Sequence, residues 1–441
     1  MDGLSWPFEG LNPALQVWFA FTLALIVVLF CWTATLFVRG LRAARRAPQP
    51  VDPEAFRWVF IVPALNEAVT IADSVARLQA LELVNRDIVV IDDGSDDETP
   101  AVLAAIEDPS LTVLRRDPPH ARVGKAEALN YAYRRLGEWI GNADRARTIV
   151  VIVDADGRLH ADAPRFAAAH FADPDVGGVQ ALVRIYNRER PLAWFQDIEF
   201  SVYGRLFQAG RNSFGTAGMG GNGQFNRLSA LDSIADERGP WRDRLTEDQD
   251  LGLRLLGRGW HCHQELRAVV DQQGLGDLRP LLRQRTRWAQ GNLQAIGLTG
   301  EIWRAPLGRV ARMETLFQLL TPVWQALIGL ALLASIVLAI TGVAGYFTDE
   351  SVFQLVFFYL LGFGTVVFGC IAAKAQQGPF GWLLGLLIAQ LYGFYSWLLW
   401  PVLARASARQ LTERRDWAKT EREPLADGGA EPSADAGSVA G

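Results

Sequence analysis

The sequence predicts an α/β domain with a mostly parallel, doubly wound sheet, carried on transmembrane helices. Three observations predict it. Long uncharged runs flank a charged central stretch. Within that stretch, short apolar runs alternate with segments of helical spacing. Several of the apolar runs end in aspartates.

The uncharged runs come first. Residues 17–38 contain no charge, and neither do 315–348, 351–373 and 375–404. About 20 apolar residues can cross a bilayer core as a helix, and buried helices of soluble proteins rarely run so long without interruption. Spans are therefore expected at residues 17–38, 351–373 and 379–404. The run 315–348 is too long for one upright helix, and Pro322 is expected to divide it into an interfacial helix and a span. Residues 1–16 are expected as a short outer segment, 39–56 as a linker, 57–314 as the domain, and 405–441 as a charged, then disordered, tail.

Orientation follows from the basic flank. No Lys or Arg precedes the first span, while Arg39, Arg42, Arg45 and Arg46 follow it. The positive-inside bias puts the domain in the cytoplasm of a multi-pass cell-membrane protein. Without a basic region ahead of it, the first span reads as a retained anchor. Three later spans would carry the tail outside, whereas Arg405, Arg409, Arg414, Arg415 and Lys419 favour the inside.

The central stretch reads strand, helix, strand, helix. Strands are expected at Arg57 to Pro63, Asp87 to Ile91, Leu111 to Leu114 and Thr148 to Val153, with helices at Glu67 to Leu81, Pro100 to Ile106 and Lys125 to Trp139. Near-continuous apolar runs such as Arg57 to Pro63 suit strands buried on both faces. A further strand is expected at Val179 to Ile185. Helices are expected through Trp194 to Phe207, Thr246 to Leu256 and Leu278 to Gly291. Ligands of such sheets bind beyond the carboxyl ends of the strands, where Asp93, Asp154 and Asp156 fall.

The net charge of −5, with no face-sized cluster of basic and aromatic residues, excludes a nucleic-acid surface. Three scattered cysteines exclude a disulfide framework and point to a reducing compartment. Asp154 and Asp156, two residues apart at a strand end, can share a divalent cation with diphosphate oxygens, and hard oxygen ligands suit Mg²⁺ or Mn²⁺. Lys125 opens a helix, where a phosphate is well received. A carboxylate of the Thr246-Glu247-Asp248 run can act as a base towards an acceptor hydroxyl. Gln284, Arg287 and Trp288 share a helix face and can line an acceptor site and clamp phosphate. His261-Cys262-His263 is set aside as a zinc site for want of further partners. Gly218 to Gly223 is expected to be a flexible loop on the acceptor side, not a phosphate loop.

The order Pro63-Ala64-Leu65-Asn66-Glu67, Asp92-Asp93-Gly94-Ser95, Gly124-Lys125-Ala126, Asp154-Ala155-Asp156, Thr246-Glu247-Asp248 and Gln284-x-x-Arg287-Trp288 resembles the membrane-bound family 2 glycosyltransferases, among them cellulose, chitin and hyaluronan synthases. The likeness covers about residues 57–292. It implies a GT-A fold, a UDP-sugar donor, a divalent metal (Mg²⁺ or Mn²⁺) and inversion to a β-linked product. On this resemblance Pro63, Asn66, Glu67, Asp93, Lys125 and Asp154 bind the donor, and Asp156 ligates the metal. Asp248 is the general base, and Glu247, Gln284, Arg287 and Trp288 bind acceptor and pyrophosphate. The segments Gly221 to Phe225, Thr246 to Leu251 and Arg287 to Gly291 are similar to cyanobacterial β-monoglucosyldiacylglycerol synthases, which transfer one glucose to a lipid. One departure is Glu127, where a small residue is usual, so the donor pocket is expected to differ there.

The implied partners are a UDP-sugar, a glycan or lipid acceptor and membrane lipid. A growing polysaccharide or oligosaccharide is the favoured acceptor, and a diacylglycerol-type lipid receiving one sugar is the alternative. A catalytically silent membrane scaffold is a remote third reading, and the complete set of Asp93, Asp154, Asp156 and Asp248 argues against it.

Overall fold

The computed structural model describes residues 12–341, 351–374, 378–398 and 400–412. The expected disordered tail past residue 412 and the outer segment before residue 12 lie outside the described residues. The long apolar helix α1 (Pro13–Arg45) comes first, with the Asn12 side chain accepting the Ala14 amide as its cap. The domain then alternates β1 (Arg57–Ala64), α2 (Ile71–Gln79), β2 (Arg86–Asp92), α3 (Thr99–Ala104), β3 (Leu111–Arg115), α4 (Lys125–Arg135), α5 (Gly137–Ile140) and β4 (Thr148–Ile152). Next come β5 (Arg158–Leu159), α6 (Ala163–Phe171), β6 (Val176–Ile185), α7 (Pro191–Val202), a π-helical stretch Tyr203–Gln208 and the short α8 (Ala209–Arg211). The domain continues through β7 (Gln224–Arg227), α9 (Leu228–Ile234), α10 (Glu247–Gly257), β8 (His261–Gln272), α11 (Leu278–Ala295), α12 (Thr299–Arg304) and α13 (Arg309–Leu319). The chain then runs through α14 (Thr321–Ile340), α15 (Ser351–Lys374), α16 (Gly381–Leu398) and α17 (Trp400–Leu411).

The eight strands are ordered β3-β2-β1-β4-β7-β6-β8-β5. The first four are parallel, as the alternating pattern predicts. Antiparallel β7 then pairs with both β4 and β6, while β6 and β8 are parallel. The strand order reverses at β1, with β2 on one side and β4 on the other, so a crevice opens beyond their carboxyl ends. β1 explains the layering. Trp58, Phe60 and Val62 pack with α2 and α6 residues on one face, and Val59 and Ile61 pack with α4 residues on the other. Alternate side chains leave opposite faces of a strand, so helices cover both.

Among the described residues, three helical stretches, Pro13–Arg45, Thr321–Leu338 and Gly381–Leu411, are long and apolar enough to cross a membrane. Phe363–Lys374 is a shorter apolar helix. The break expected near Pro322 falls at Leu320, which leaves Pro322 in the first turn of α14, where its missing amide costs no hydrogen bond. The long apolar helices are tied to the domain. Leu36 of α1 packs with Ile198, Val202 and Leu206, and with Cys370 and Ala373 of α15. Tyr395 of α16 donates to Glu199 of α7 at 2.7 Å. Arg409 of α17 donates to Gln290 of α11 at 3.2 Å.

Candidate active site

The site collects where β1, β2 and β4 end. After β1, Asn66 takes a left-handed backbone (φ 54°), and its side chain exchanges hydrogen bonds with Asp96 of the next strand's loop. Pro63 is a β1 residue, and Glu67 turns inward to accept the Thr70 hydroxyl at 3.1 Å. After β2, Asp92 pairs with Arg115 and caps the turn by accepting the Ser95 amide at 2.9 Å. Asp93 is held by the buried Arg116 at 2.6 Å. Burial raises the Asp93 pKa, and Arg116 opposes the rise.

Lys125, the first residue of α4, donates to Asp154 Oδ1 at 2.5 Å and to the Gly221 carbonyl at 3.0 Å. Glu247 lies 3.8 Å away. Gly221 is the meeting point: a Cβ there would stand 3.1 Å from both Asp248 Oδ2 and Lys125 Nζ. Elements far apart in the chain therefore bring Asp154, Glu247 and Asp248 around one lysine. Burial works against the Lys125 charge, but Asp154 and Glu247 outweigh it and push its pKa up to about 12. Burial and then Asp248 raise Glu247 to about 7, against the pull of Lys125 and Arg287. Burial raises Asp248 as well, with Lys125 and Arg287 pulling the other way.

The glycine stretch, expected to be flexible, is pinned by side chains. Gln208 accepts the Gly218 amide at 2.6 Å and Gln180 accepts the Gly220 amide at 2.7 Å. Asn222 accepts the Asp154 amide at 3.1 Å, which ties the loop to the end of β4. Glu127 is turned to Arg134 at 2.8 Å.

The α11 residues divide. Arg287 reaches the Leu245 carbonyl at 3.3 Å, just ahead of the α10 carboxylates. Gln284 accepts from Arg285 at 2.6 Å. Trp288 lies under the Arg285 guanidinium at 4.1 Å and edge-on to Phe200. Arg285, which the helix-face argument passed over, is buried and paired with Glu199 at 2.8 Å. Gln180, Gln208 and Arg116 were also missed. Their buried polar side chains hold the site's loops, and no local spacing marks them.

Among the described residues, no group of three or more His, Cys, Asp or Glu side chains forms a ready-made cage for a divalent cation. Asp154 and Asp156 offer two carboxylates from one strand end; Asp154 is partly exposed, and Asp156 is buried with one oxygen accepting the Gln273 amide at 3.1 Å. One or two carboxylates completed by substrate phosphates is how Mg²⁺ is commonly held, so the residues fit. His263, by contrast, stacks on His170 at 5.2 Å, and His170 bonds to Glu265 at 3.0 Å.

The sheet, with Lys125 and the carboxylates beyond its strand ends, has the GT-A fold of glycosyltransferases. The chain belongs to the glycosyltransferase like family 2, whose pattern matches residues 56–291. It is 30% identical over 278 residues to a β-monoglucosyldiacylglycerol synthase of Synechocystis, covering 59% of this chain and 55% of that protein. It is 27% identical over 264 residues to a poly-β-1,6-N-acetyl-D-glucosamine synthase of Staphylococcus aureus, covering 59% of this chain and 60% of that one. The chain thus spans about half the length of the curated relatives it matches. The fold is shared with a mannosyltransferase of Pyrobaculum calidifontis solved with GDP-mannose and Mn²⁺ (TM-score 0.59, 20% identity, 90% of this chain and 99% of that one).

Proposed function

We propose that the protein transfers one sugar from a UDP-sugar to a membrane lipid hydroxyl with inversion, Asp248 acting as general base. The observation that carries the chemistry is the cluster of Asp154, Glu247 and Asp248 around Lys125 and Gly221. In an inverting transfer the acceptor oxygen attacks the anomeric carbon as the sugar–phosphate bond opens on the opposite side. Asp248 takes the hydroxyl proton, and a carboxylate pKa raised by burial makes it the stronger base. Charge develops on the leaving diphosphate, where Lys125 and Arg287 supply fixed positive charge. Asp156, with Asp154, would hold a Mg²⁺ or Mn²⁺, which supplies Lewis-acid neutralisation of the diphosphate. Asn66, Glu67 and Asp93 bound the strand-end crevice on the uridine side, and Pro63 shapes its floor. Gln284 and Trp288, beside Arg285, line the acceptor side.

The preference between acceptors reverses the sequence-based expectation. Relatives at 30–34% identity carry glucosyldiacylglycerol synthase names, against 27% for the polymer synthase. Polymer growth stands as the second reading, on that same similarity.

The base assignment is tested with Asp248→Asn in purified protein. Transfer is lost while UDP-sugar binding is retained; unchanged turnover refutes the role. The acceptor is tested by incubating membranes with radiolabelled UDP-glucose and UDP-N-acetylglucosamine. A chloroform-extractable product that stays at one sugar supports the lipid, and a lengthening, non-extractable product supports the polymer.

A further inference from the structure

A cavity of about 380 Å³ lies away from the carboxylate cluster, lined by Ile234, Arg242, Arg254, Gly257, Arg258, Glu301 and Arg304. That volume falls in the usual range for ligand pockets, roughly 300–1,000 Å³. It sits at the C-terminal end of α10, about 15 Å along that helix from Asp248 at 1.5 Å per residue. Its lining brings together four arginines and one carboxylate.

The arginines are not equivalent. Arg254 is buried and committed to Asp250 at 2.6 Å and to the Ile234 carbonyl at 3.1 Å. Arg242 meets Glu301 only loosely, at 3.7 Å. Arg258 and Arg304 are exposed, and among the described residues neither has a carboxylate partner. The free carbonyls at the end of α10 favour one nearby cation. They do not account for guanidinium groups converging on one space from α10, α12 and the loop after α9.

The setting indicates which anion fills it. Trp303, next to Arg304, is 60% exposed, and Val310 and Met313 on α13 are 59% and 57% exposed. Val310, Met313 and Phe317 recur at helical spacing on one face, and α13 leads directly into the apolar helix α14. An exposed apolar stripe with a tryptophan, continuous with a span, belongs at a membrane surface. The same helix α12 that carries Trp303 supplies Glu301 and Arg304 to the cavity, and α12 packs against α13.

We infer that this cavity binds the phosphate of an anionic phospholipid headgroup, a site separate from sugar transfer. The inference rests on the membrane reading of α14 and on neither catalytic assignment. The recognised chemistry is a phosphate diester gripped by Arg258 and Arg304, with Arg242 alongside; guanidinium groups pair with phosphate through parallel N–H donors.

The test uses full-length protein in mixed micelles of neutral maltoside with equal phosphatidylglycerol and phosphatidylcholine. Lipid retained after gel filtration is measured by mass spectrometry. Wild type retains phosphatidylglycerol in preference. The R258Q/R304Q variant binds it about twenty-five-fold more weakly, at about fivefold per surface arginine. Equal retention of the two lipids by wild type, or an unchanged preference in the variant, overturns the proposal. Saturable binding of inorganic phosphate without a lipid preference assigns the cavity to a soluble anion and also overturns it. UDP release in neutral micelles stays at the wild-type rate in the variant, which shows that the fold is intact. Loss of that rate would make the arginines structural and overturn the assignment. A wild type that keeps its lipid preference but releases no UDP sinks the transferase reading and leaves the lipid site standing.

Discussion

Replacing Gly291 by alanine puts a methyl group where α11 has no room for one. An added Cβ would stand 2.4 Å from Thr246 Oγ1, 2.5 Å from its Cγ2 and 2.9 Å from its Cβ. Ordinary contact starts at 3.4 Å, so α11 and Thr246 must part by about 1 Å. Thr246 is β-branched and stiff at χ1, so it cannot swing clear cheaply. It immediately precedes Glu247 and Asp248, and α11 carries Arg287. Overpacking of this kind costs about 1–3 kcal/mol. A displacement of about 1 Å in a catalytic group can cost about a hundredfold in rate. The expected result for Gly291→Ala is a lowered melting temperature and a roughly hundredfold fall in UDP release at saturating UDP-sugar. Adding Thr246→Ala removes the two nearest contacts and restores part of both. A Gly291→Ala protein with wild-type rate and melting temperature would refute the idea that this contact sets the α10 carboxylates in place.

Other outcomes follow from the same geometry. Lys125→Met leaves Asp154, Glu247 and Asp248 without their shared cation, and UDP release should fall by about 10²–10³-fold; retention of half the activity would contradict the role. Glu199→Gln strips buried Arg285 of its carboxylate, costing about 3–5 kcal/mol, read as a lower melting temperature in detergent. Glu265 is buried, and the hydrogen bonds from Arg267 and His170 overcome that burial to hold its pKa at about 2 against 4.5. Its ionised form therefore adds stability above pH 4.5 that is lost as pH falls towards 2. Glu265→Gln should cost roughly 3 kcal/mol at pH 7 and flatten the acid limb of a melting-temperature profile.

Much of the site was legible in the sequence because it is built from local signals. The apolar runs of β1, β2 and β4 fix where strands end, and a doubly wound sheet places those ends on one edge. Asp93, Asp154 and Asp156 follow from this without any knowledge of packing. The chemistry around them was less legible. The π-helical stretch Tyr203–Gln208 shifts the phase of its helix, so a wheel drawn at 3.6 residues per turn does not aim Gln208 at Gly218. On α11, spacing alone grouped Gln284, Arg287 and Trp288, whereas packing against α7 buries Arg285 between them.

The sequence by itself determined the long apolar helices, the parallel half of the sheet and the acidic residues at its edge. These depend on periodicity and composition, which are properties of neighbouring residues. Only the tertiary structure decided that Gly221 brings Lys125, Asp154 and Asp248 to one point, that Gly291 lets α11 close on Thr246, and that arginines from α10 and α12 face one cavity. Each of these is an approach between segments distant in the chain. It is set by which side chain is small enough to admit the other, and spacing along the sequence does not carry that information.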